Sequence, residues 1–259
     1  MKNQKYLKLL LLVSIVAVMA MGTASAATGD KYVNTTGIDT NDGNSLDTPY
    51  LTIQQGLDNV ANAGTVNIAP GTYTGTGNTN LDVKTSEVTI KGSDQDPTII
   101  DGQGTNTALT VNSGEKVTIK NLTIQNTPGA ITNNGGDLTV IGSNFKSNTA
   151  SGFGGAIAVN SGTLAVSGST FTNNHASYSG AIGVQTGSGS VSGSTFTDNT
   201  ATASGGAIAN DGILSVISST FTGNTAGNLG GAIASDGTLT VTGNNFESNS
   251  ASNAGGTNT

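Results

Sequence analysis

The chain has 259 residues, of which 38 are Gly, and it contains no Cys, Trp or Arg. The absence of Cys excludes disulfides and thiolate metal sites. Nine Lys against sixteen acidic residues give a formal net charge of −7, which argues against nucleic acid and anionic lipid as partners. Regularly spaced Ile, Leu, Val and Phe predict an ordered core despite the abundance of Gly and small polar residues.

Residues 1–26 have the pattern of a secretory signal. Three lysines precede an apolar run from Leu9 to Met21, and the small residues 24–26 follow it. We therefore predict cleavage near Ala26 and a secreted or cell-surface location. An uncleaved membrane anchor is the alternative, but the run is shorter than the ~20 apolar residues of a spanning helix. Cleavage leaves six Lys against sixteen acidic residues, a net charge of −10.

Residues 27–64 are predicted to form an N-terminal cap. Thr52 and Gln55 make a capping box, and Gly64 is a stop signal for the helix that the box begins. The apolar residues on one face of this helix are Ile53, Leu57, Val60 and Ala61. A short amphipathic helix here covers the open edge of a first β-coil, which protects that edge from aggregation.

Short alternating apolar pairs fill the stretch from residue 65 to about residue 128 and predict irregular β-coils. From about residue 129 two phrases recur with a period of 25 or 26 residues. The first phrase, Phe-x-x-Asn, falls at 145–148, 171–174, 196–199, 221–224 and 246–249. The second phrase, Gly-Ala-Ile, falls at 129–131, 155–157, 180–182, 206–208 and 231–233. A Leu-x-Val unit lies between the two phrases in most periods.

Three short strands per period predict an all-β fold, a right-handed parallel β-helix over residues 65–259. Equivalent strands of successive coils then lie ~4.8 Å apart, and parallel crossovers are right-handed in about 98% of cases. Stacked coils place like residues on like. The predicted internal aromatic column is Phe145, Phe171, Phe196, Phe221 and Phe246. The predicted turn column, where Asn tolerates the left-handed conformation, is Asn148, Asn174, Asn199, Asn224 and Asn249.

The C-terminal end differs from the N-terminal end because it has no capping signal. The last period stops at Gly255 to Thr257, one residue into the next Gly-Ala-Ile phrase. This pattern predicts a truncated chain, whose missing part would hold an anchor or further domains.

The paired phrases resemble the repeats of chlamydial polymorphic outer membrane proteins and of adhesin-like surface proteins of methanogenic archaea. The matching segments are 154–157, 205–208 and 230–233 in full, 179–182 with Ser in place of one Gly, and all five Phe-x-x-Asn units. Upstream, the segments 37–43, 48–54 and 69–73 resemble the opening of pectin-lyase-like β-helices. The resemblance implies a secreted surface protein with a role in attachment. A C-terminal autotransporter barrel, as in the chlamydial proteins, is not part of this sequence, so outer-membrane insertion is not carried over.

Pectin-lyase-like folds also include enzymes, so a polysaccharide-active enzyme is the runner-up. Lyases of that fold use Arg as base, and this chain has no Arg. A hydrolase needs two carboxylates, and Asp211 and Asp236 occupy equivalent coil positions. Each precedes a Gly, which favours a role in turn formation; a shared cation between them is a further alternative. We predict no catalytic residue and no cofactor.

Other polar clusters are also interpreted as structural. Asp94, Asp96 and Asp101 surround a Pro in one loop, where carboxylates serve turns and solubility. The segment 39–43 contains oxygen ligands of the kind that calcium prefers, but its Gly does not fit the position required in an EF-hand loop. We therefore favour a capping turn and predict no metal site. His175, the only His, replaces the Thr or Ser of the other coils and is interpreted as a turn residue.

The position one or two residues before each Gly pair varies, which indicates a solvent-facing loop on a regular frame. It holds Phe153, Tyr178, Ser204, Leu229 and Ala254. Phe153 and Tyr178 lie on adjacent coils, where two exposed aromatic rings can stack on sugars; covering the turn is the alternative. Asn34 and Asn121 begin N-glycosylation sequons, which matter only in an exported chain.

These patterns favour a cell-surface, adhesin-like β-helix that attaches to glycans or proteins of another cell. A polysaccharide-active enzyme and a ligand-free structural stalk of the envelope are the alternatives.

Overall fold

A computed structural model describes residues 29–253. The predicted signal sequence and the segment from Gly255 to Thr257 lie outside these residues. The N-terminal elements are, in chain order, β1 (Lys31–Val33), helix α1 (Ile53–Asn59), β2 (Gly64–Ile68), β3 (Gly71–Thr74), β4 (Glu87–Lys91), β5 (Thr98–Asp101), β6 (Leu109–Asn112), β7 (Lys116–Lys120) and β8 (Thr123–Gln125). The remaining strands are β9 (Ile131–Ile141), β10 (Asn144–Lys146), β11 (Ile157–Ser167), β12 (Thr170–Thr172), β13 (His175–Ala176), β14 (Ile182–Val184), β15 (Ser188–Ser192), β16 (Thr195–Thr197), β17 (Thr200–Ala201), β18 (Ile208–Asn210), β19 (Ile213–Ile217), β20 (Thr220–Thr222), β21 (Thr225–Ala226), β22 (Ile233–Ser235), β23 (Thr238–Thr242), β24 (Asn245–Glu247) and β25 (Ser250–Ala251).

The strands form three parallel sheets that wind around one core. The first sheet follows the order β1-β2-β4-β7-β9-β11-β14-β18-β22, and β6, β15, β19 and β23 join it beside this path. The second sheet has eight strands in the order β24-β20-β16-β12-β10-β8-β5-β3, and the third has the order β13-β17-β21-β25. Each pairing joins one coil to the next, as Phe171 pairs with Phe145 and Phe196. The predicted parallel β-helix is confirmed, and its second sheet counts eight coils.

The division of each coil differs in detail from the sequence-based one. In β9 and β11 the Gly-Ala-Ile and Leu-x-Val segments run together as one strand of 11 residues, with an irregular register between Val159 and Thr163. We call the Phe and Asn of the Phe-x-x-Asn phrases the ladder Phe and the ladder Asn. From Asn174 onward, an additional two-residue strand follows each ladder Asn, and these strands build the third sheet. The sequence of this strand is His-Ala, Thr-Ala or Ser-Ala, which is too short for apolar periodicity to reveal.

Helix α1 packs on β1 and β2 and covers the first coil. Its N-cap is Thr52, whose hydroxyl accepts from the N–H of Gln55 at 3.3 Å. In the predicted capping box, the side chain of Gln55 would accept from the N–H of Thr52. The carboxylate of Asp39 accepts from this N–H instead, at 2.9 Å. Ile53 and Leu57 are buried, whereas Ala61, predicted on the same face, is exposed because the helix has already ended. The prediction that Gly64 stops the helix is wrong, because the helix ends at Asn59 with Val60 as its C-cap, and Gly64 begins β2.

The predicted aromatic residues form one stack inside the solenoid. Neighbouring ring centroids are 4.7 to 5.0 Å apart, with interplanar angles between 4° and 12°. The first four rings are fully buried, and burial of each contributes roughly 1.5–3 kcal/mol. Phe246, in the last described coil, is 39% exposed. Its exposure differs because no described coil packs on its outer side.

The ladder Asn side chains point inward and satisfy one another. The Asn174 amide donates to the carbonyl of Phe145 at 3.0 Å and to Oδ1 of Asn199 at 2.9 Å. Oδ1 of Asn199 also accepts from the backbone N–H of Asn174 at 3.0 Å. The expectation that the ladder Asn itself adopts the left-handed conformation is wrong. That conformation belongs to the preceding residue, for example Asn173 with φ 55° and Asp198 with φ 52°, because the ladder side chain must turn into the core.

A second polar column was not recognised in the sequence. Each member lies two residues before a ladder Phe and is buried, and the members are Ser143, Ser169, Ser194 and Ser219. The hydroxyl of Ser194 accepts from the N–H of Ser169 at 3.2 Å and donates to the carbonyl of Ser192 at 2.9 Å. The recurrence of Ser-x-Phe in successive periods was the available signal.

The two glycines before Ala-Ile have different tasks. Gly205 has φ 72°, a conformation that residues with a side chain rarely adopt. At Gly206 the requirement is close approach, since a Cβ there would lie 1.9 Å from the carbonyl oxygen of Gly231 in the next coil. The corner therefore needs both a left-handed residue and a residue without a side chain.

We expect Phe196→Ala to lower the free energy of unfolding by about 3–5 kcal/mol, because it opens a cavity between two stacked rings. Phe246→Ala is the matched control, and its loss should be clearly smaller because that ring is already 39% exposed. Urea unfolding followed by circular dichroism measures both. Equal losses would contradict the internal column.

We expect Gly206→Ala to destabilise the fold by about 1–3 kcal/mol, because the added methyl group overlaps the Gly231 carbonyl. Gly152→Ala is the control, since nothing lies within 4 Å of a Cβ there, and its effect should stay within about 0.5 kcal/mol. The same unfolding measurement compares the two variants. A neutral Gly206→Ala would show that the coils do not approach so closely at this corner.

Candidate functional site

Phe153 and Tyr178 form a second, external aromatic stack. They are partners in a parallel bridge, with the N–H of Tyr178 donating to the carbonyl of Gly152 at 2.9 Å and the N–H of Gly154 donating to the carbonyl of Tyr178 at 3.1 Å. Their ring centroids are 4.9 Å apart and the interplanar angle is 14°. Tyr178 is 44% exposed and Phe153 is half-buried. The two rings thus present one apolar edge at the surface.

The backbone on the C-terminal side of this pair is fixed by a buried hydroxyl. Ser179 replaces the first Gly of the pair and holds φ 57° despite its side chain. Its hydroxyl donates to the carbonyl of Tyr178 at 2.6 Å and accepts from the N–H of Gly154 at 2.9 Å. These bonds join the two coils directly behind the aromatic rings, so the rings sit on a well-defined corner.

The same position in the next two coils is occupied by Ser204 and Leu229. They are partners in another parallel bridge, and the N–H of Ser179 donates to the carbonyl of Ser204 at 3.0 Å. Leu229 is 47% exposed and Ser204 is half-buried. Ala254, the fifth member predicted from the sequence, lies outside the described residues.

Asp211 and Asp236 lie in equivalent turns of successive coils. Both side chains are exposed, and each precedes a Gly whose Cβ would overlap the carbonyl oxygen of Gly187 or of Gly212. A glycosidase acid needs a carboxyl group withdrawn from water. Asp211 and Asp236 therefore lie in exposed turns, each directly before a Gly that closely approaches the backbone of the previous coil.

The loop around residues 94–101 uses its carboxylates for local bonds. The Lys91 ammonium, 2.9 Å from Asp94, holds the pKa of Asp94 below its usual value. Burial raises the pKa of Asp101, but donors on Gln125, Gln103 and Asn126 outweigh burial and lower it overall. Asp96 is exposed.

The carboxylates of the loop from Asp39 to Gly43 accept hydrogen bonds from residues that follow the loop. The hydroxyl of Thr48, 2.6 Å from Asp42, and the N–H of Asn44 hold the pKa of Asp42 below its usual value. Asp39 accepts from the N–H groups of Leu51 and Thr52 at the start of helix α1. Among residues 29–253 no three His, Asp or Glu side chains come together in a way that could hold a metal ion.

Tyr73, the last residue of the upstream motif, is part of the core. Its ring is 1% exposed, and its hydroxyl donates to the carbonyl of Ala69 at 2.9 Å. Burial raises the pKa of Tyr73 to about 12. His175 lies in the third sheet, and its Nδ1 is 2.8 Å from the hydroxyl of Thr200 at the equivalent position of the next coil.

The two sequons differ in how their Asn amides are used. Oδ1 of Asn34 accepts from the N–H and the hydroxyl of Thr36 at 3.1 and 3.2 Å, and its amide nitrogen bonds to no described residue. Asn121 has φ 54°, and its amide donates to the carboxylate of Asp94. Glycosylation stays a prediction for both, and the geometry favours Asn34.

Two surface grooves lie near the N-terminal coils and had no signal in the sequence. The larger, about 320 Å³, is lined by Gln54, Asn80 and Asn106 among others, and these amides bond to one another or to neighbouring backbone. The smaller, about 230 Å³, has Tyr32, Leu46 and Pro70 on its walls beside the Lys91 to Asp94 ion pair. No helix of the described part of the chain is long and apolar enough to cross a membrane.

Comparisons with known proteins agree with the repeat and with the fold. The family model of the Chlamydia polymorphic membrane protein (Chlamydia_PMP) repeat matches residues 193–211 and 218–236. Each match spans one corner, from the Phe-x-x-Asn strand to the turn after Gly-Ala-Ile. No curated protein matches the chain.

Among solved structures, a rhamnogalacturonan lyase is 14% identical with a TM-score of 0.52, over 84% of this chain and 62% of the lyase. The chain thus spans about three fifths of the length of that enzyme. Escherichia coli ybhc is 13% identical with a TM-score of 0.49, over 85% of both chains. Identity this low shows the fold alone. The chain therefore carries repeats of the polymorphic membrane protein type on a pectin-lyase-like β-solenoid.

Proposed function

We propose that this protein is displayed on the cell surface and attaches the cell to glycans or proteins of another surface. The observation that carries the proposal is the stacked Phe153 and Tyr178 pair, which lies outside the core at a position that varies between coils. The repeat residues themselves are used inside, as Phe and Asn columns and as Gly corners. Binding is therefore assigned to the residues between them.

The surface location draws on the repeat and on the N-terminal sequence. The matching family model describes a membrane protein repeat of Chlamydia, and residues 1–26 read as a secretory signal. A regular solenoid also suits attachment physically, because weak contacts along one rod add up when a surface offers several ligands.

A polysaccharide-active enzyme is the second candidate, and the fold likeness to a rhamnogalacturonan lyase is the observation that favours it. Fold alone does not carry activity, since function depends on the site. The exposed Asp211 and Asp236 and the absence of Arg supply neither a desolvated acid nor an Arg base.

Attachment is tested with beads that carry the purified chain, applied to glycan arrays and to cultured cells. We expect Phe153→Ala/Tyr178→Ala to reduce bead attachment by about tenfold or more, since each lost aromatic contact is multiplied over many copies. Ile213→Ala/Ile217→Ala is the matched control, because it removes exposed apolar side chains from β19 in the first sheet, away from the aromatic pair, and should leave attachment unchanged. Equal attachment above background by all three proteins would remove the role of the aromatic pair, and background attachment by all three would favour a ligand-free stalk.

The enzyme alternative is tested by incubating the chain with pectin and rhamnogalacturonan. We expect no increase in reducing ends or in unsaturated products above a heat-treated sample. Product release that disappears in Asp211→Asn would replace the attachment proposal with an enzymatic one.

A further inference from the structure

The external aromatic stack has a direction that points to one neighbouring coil. The rings of Phe153 and Tyr178 are nearly parallel, with an interplanar angle of 14°. They belong to adjacent coils, so the two rings are stacked in the direction that leads from one coil to the next. One face of the Tyr178 ring is covered by Phe153. The opposite face must then point toward the following coil, where the equivalent position is Ser204.

Ser204 interrupts this column of large side chains. Phe153, Tyr178 and Leu229 occupy the other three described positions, and Tyr178 and Leu229 are 44% and 47% exposed. The Ser side chain has only two heavy atoms and does not fill the place of a ring. We call the space between the Tyr178 ring and the Leu229 side chain, at the level of Ser204, the Ser204 gap.

The size of the Ser204 gap follows from the coil spacing. Tyr178 and Leu229 are two coils apart, which corresponds to about 9.5 Å between their backbones. Within this protein, rings on adjacent coils stack with centroids 4.7 to 5.0 Å apart. One inserted ring would therefore lie at stacking distance from Tyr178 on one side and from Leu229 on the other.

The rim of the gap is polar and uncharged. Hydroxyl groups are carried by Tyr178 and Ser204 at the corner position and by the exposed Thr202, two residues before Ser204. An inserted phenyl ring would leave such hydroxyls without partners, whereas a sugar ring has an apolar face for Tyr178 and hydroxyls for the rim.

The charge of this region argues against acidic sugars. The last Lys in the sequence is Lys146, and the only charged residues beyond it are Asp198, Asp211, Asp236 and Glu247. This part of the chain therefore offers no Lys to pair with a carboxylated sugar, and its fixed charges are acidic.

We propose that the Ser204 gap binds one neutral hexopyranose ring, held between the face of Tyr178 and the side chain of Leu229. This inference rests on the attachment function proposed above and names the ligand class and the exact coil at which it binds.

The test uses the full chain and isothermal titration with cellohexaose, maltohexaose and a β-linked galactose hexamer as neutral probes. Hexagalacturonate is the acidic comparator, and a Phe-containing peptide is the aromatic one. Ser204→Phe fills the gap with a ring of the kind that Phe153 and Tyr178 already supply at this position. Ser204→Ala keeps the gap open, and Ser190→Phe adds the same ring to an exposed position of β15 in the first sheet.

We expect at least one neutral probe to bind, and Ser204→Phe to weaken that binding by about tenfold or more, the loss of one stacking contact. Ser204→Ala and Ser190→Phe should change the affinity less than about twofold. Circular dichroism and the unfolding midpoint confirm that each variant is folded. Unchanged affinity in Ser204→Phe, binding of only the acidic or the aromatic probe, or binding of no probe would each overturn the proposal.

Bead attachment separates failure of the gap from failure of the attachment function. If Phe153→Ala/Tyr178→Ala abolishes attachment while Ser204→Phe retains it, the Ser204 gap is wrong and attachment through the aromatic pair stands. If neither variant changes attachment, both proposals fail.

Discussion

The parallel register between coils is the constraint on which the rest of the structure depends. A single coil of about 25 residues has too little interior to bury its own apolar side chains, and its backbone polar groups face the neighbouring coils. Many buried polar groups are therefore satisfied by groups of the neighbouring coil, often by the equivalent residue. The Asn column shows this most directly, because Oδ1 of Asn199 accepts from both the backbone N–H and the amide of Asn174.

The same constraint explains why the repeat consists of so few residue types. A buried Phe stacks on the Phe of the next coil, as Phe196 does on Phe221. A corner where a carbonyl oxygen closely approaches the Cα of the neighbouring coil tolerates only Gly, as at Gly206. Where the coil can absorb a change, the substitution is small and hydrogen-bonded. Ser179 takes the place of a left-handed Gly and uses its hydroxyl to join two coils.

This use of the repeat residues moves any binding function to the positions between them. The motif that identifies the repeat lies inside the solenoid or at its corners, where a ligand cannot reach it. At the variable corner position the large apolar side chains of Tyr178 and Leu229 stand partly in solvent, and Tyr178 stacks there on Phe153. Likeness to a lyase fold is compatible with this view, since pectin-lyase-like solenoids provide a frame and leave chemistry to individual side chains.

The sequence by itself determined the parallel solenoid, its period, the Phe column and the positions free to vary. These follow from residue type and spacing alone, because equal coils must place like residues on like. The tertiary structure decided what depends on local backbone geometry and on neighbours distant in the chain. The left-handed residue is the one before each ladder Asn, and Asp39 rather than Gln55 completes the cap of helix α1. The parallel stacking of the Phe153 and Tyr178 rings also required coordinates, because spacing fixes which residues are neighbours but not how their side chains turn.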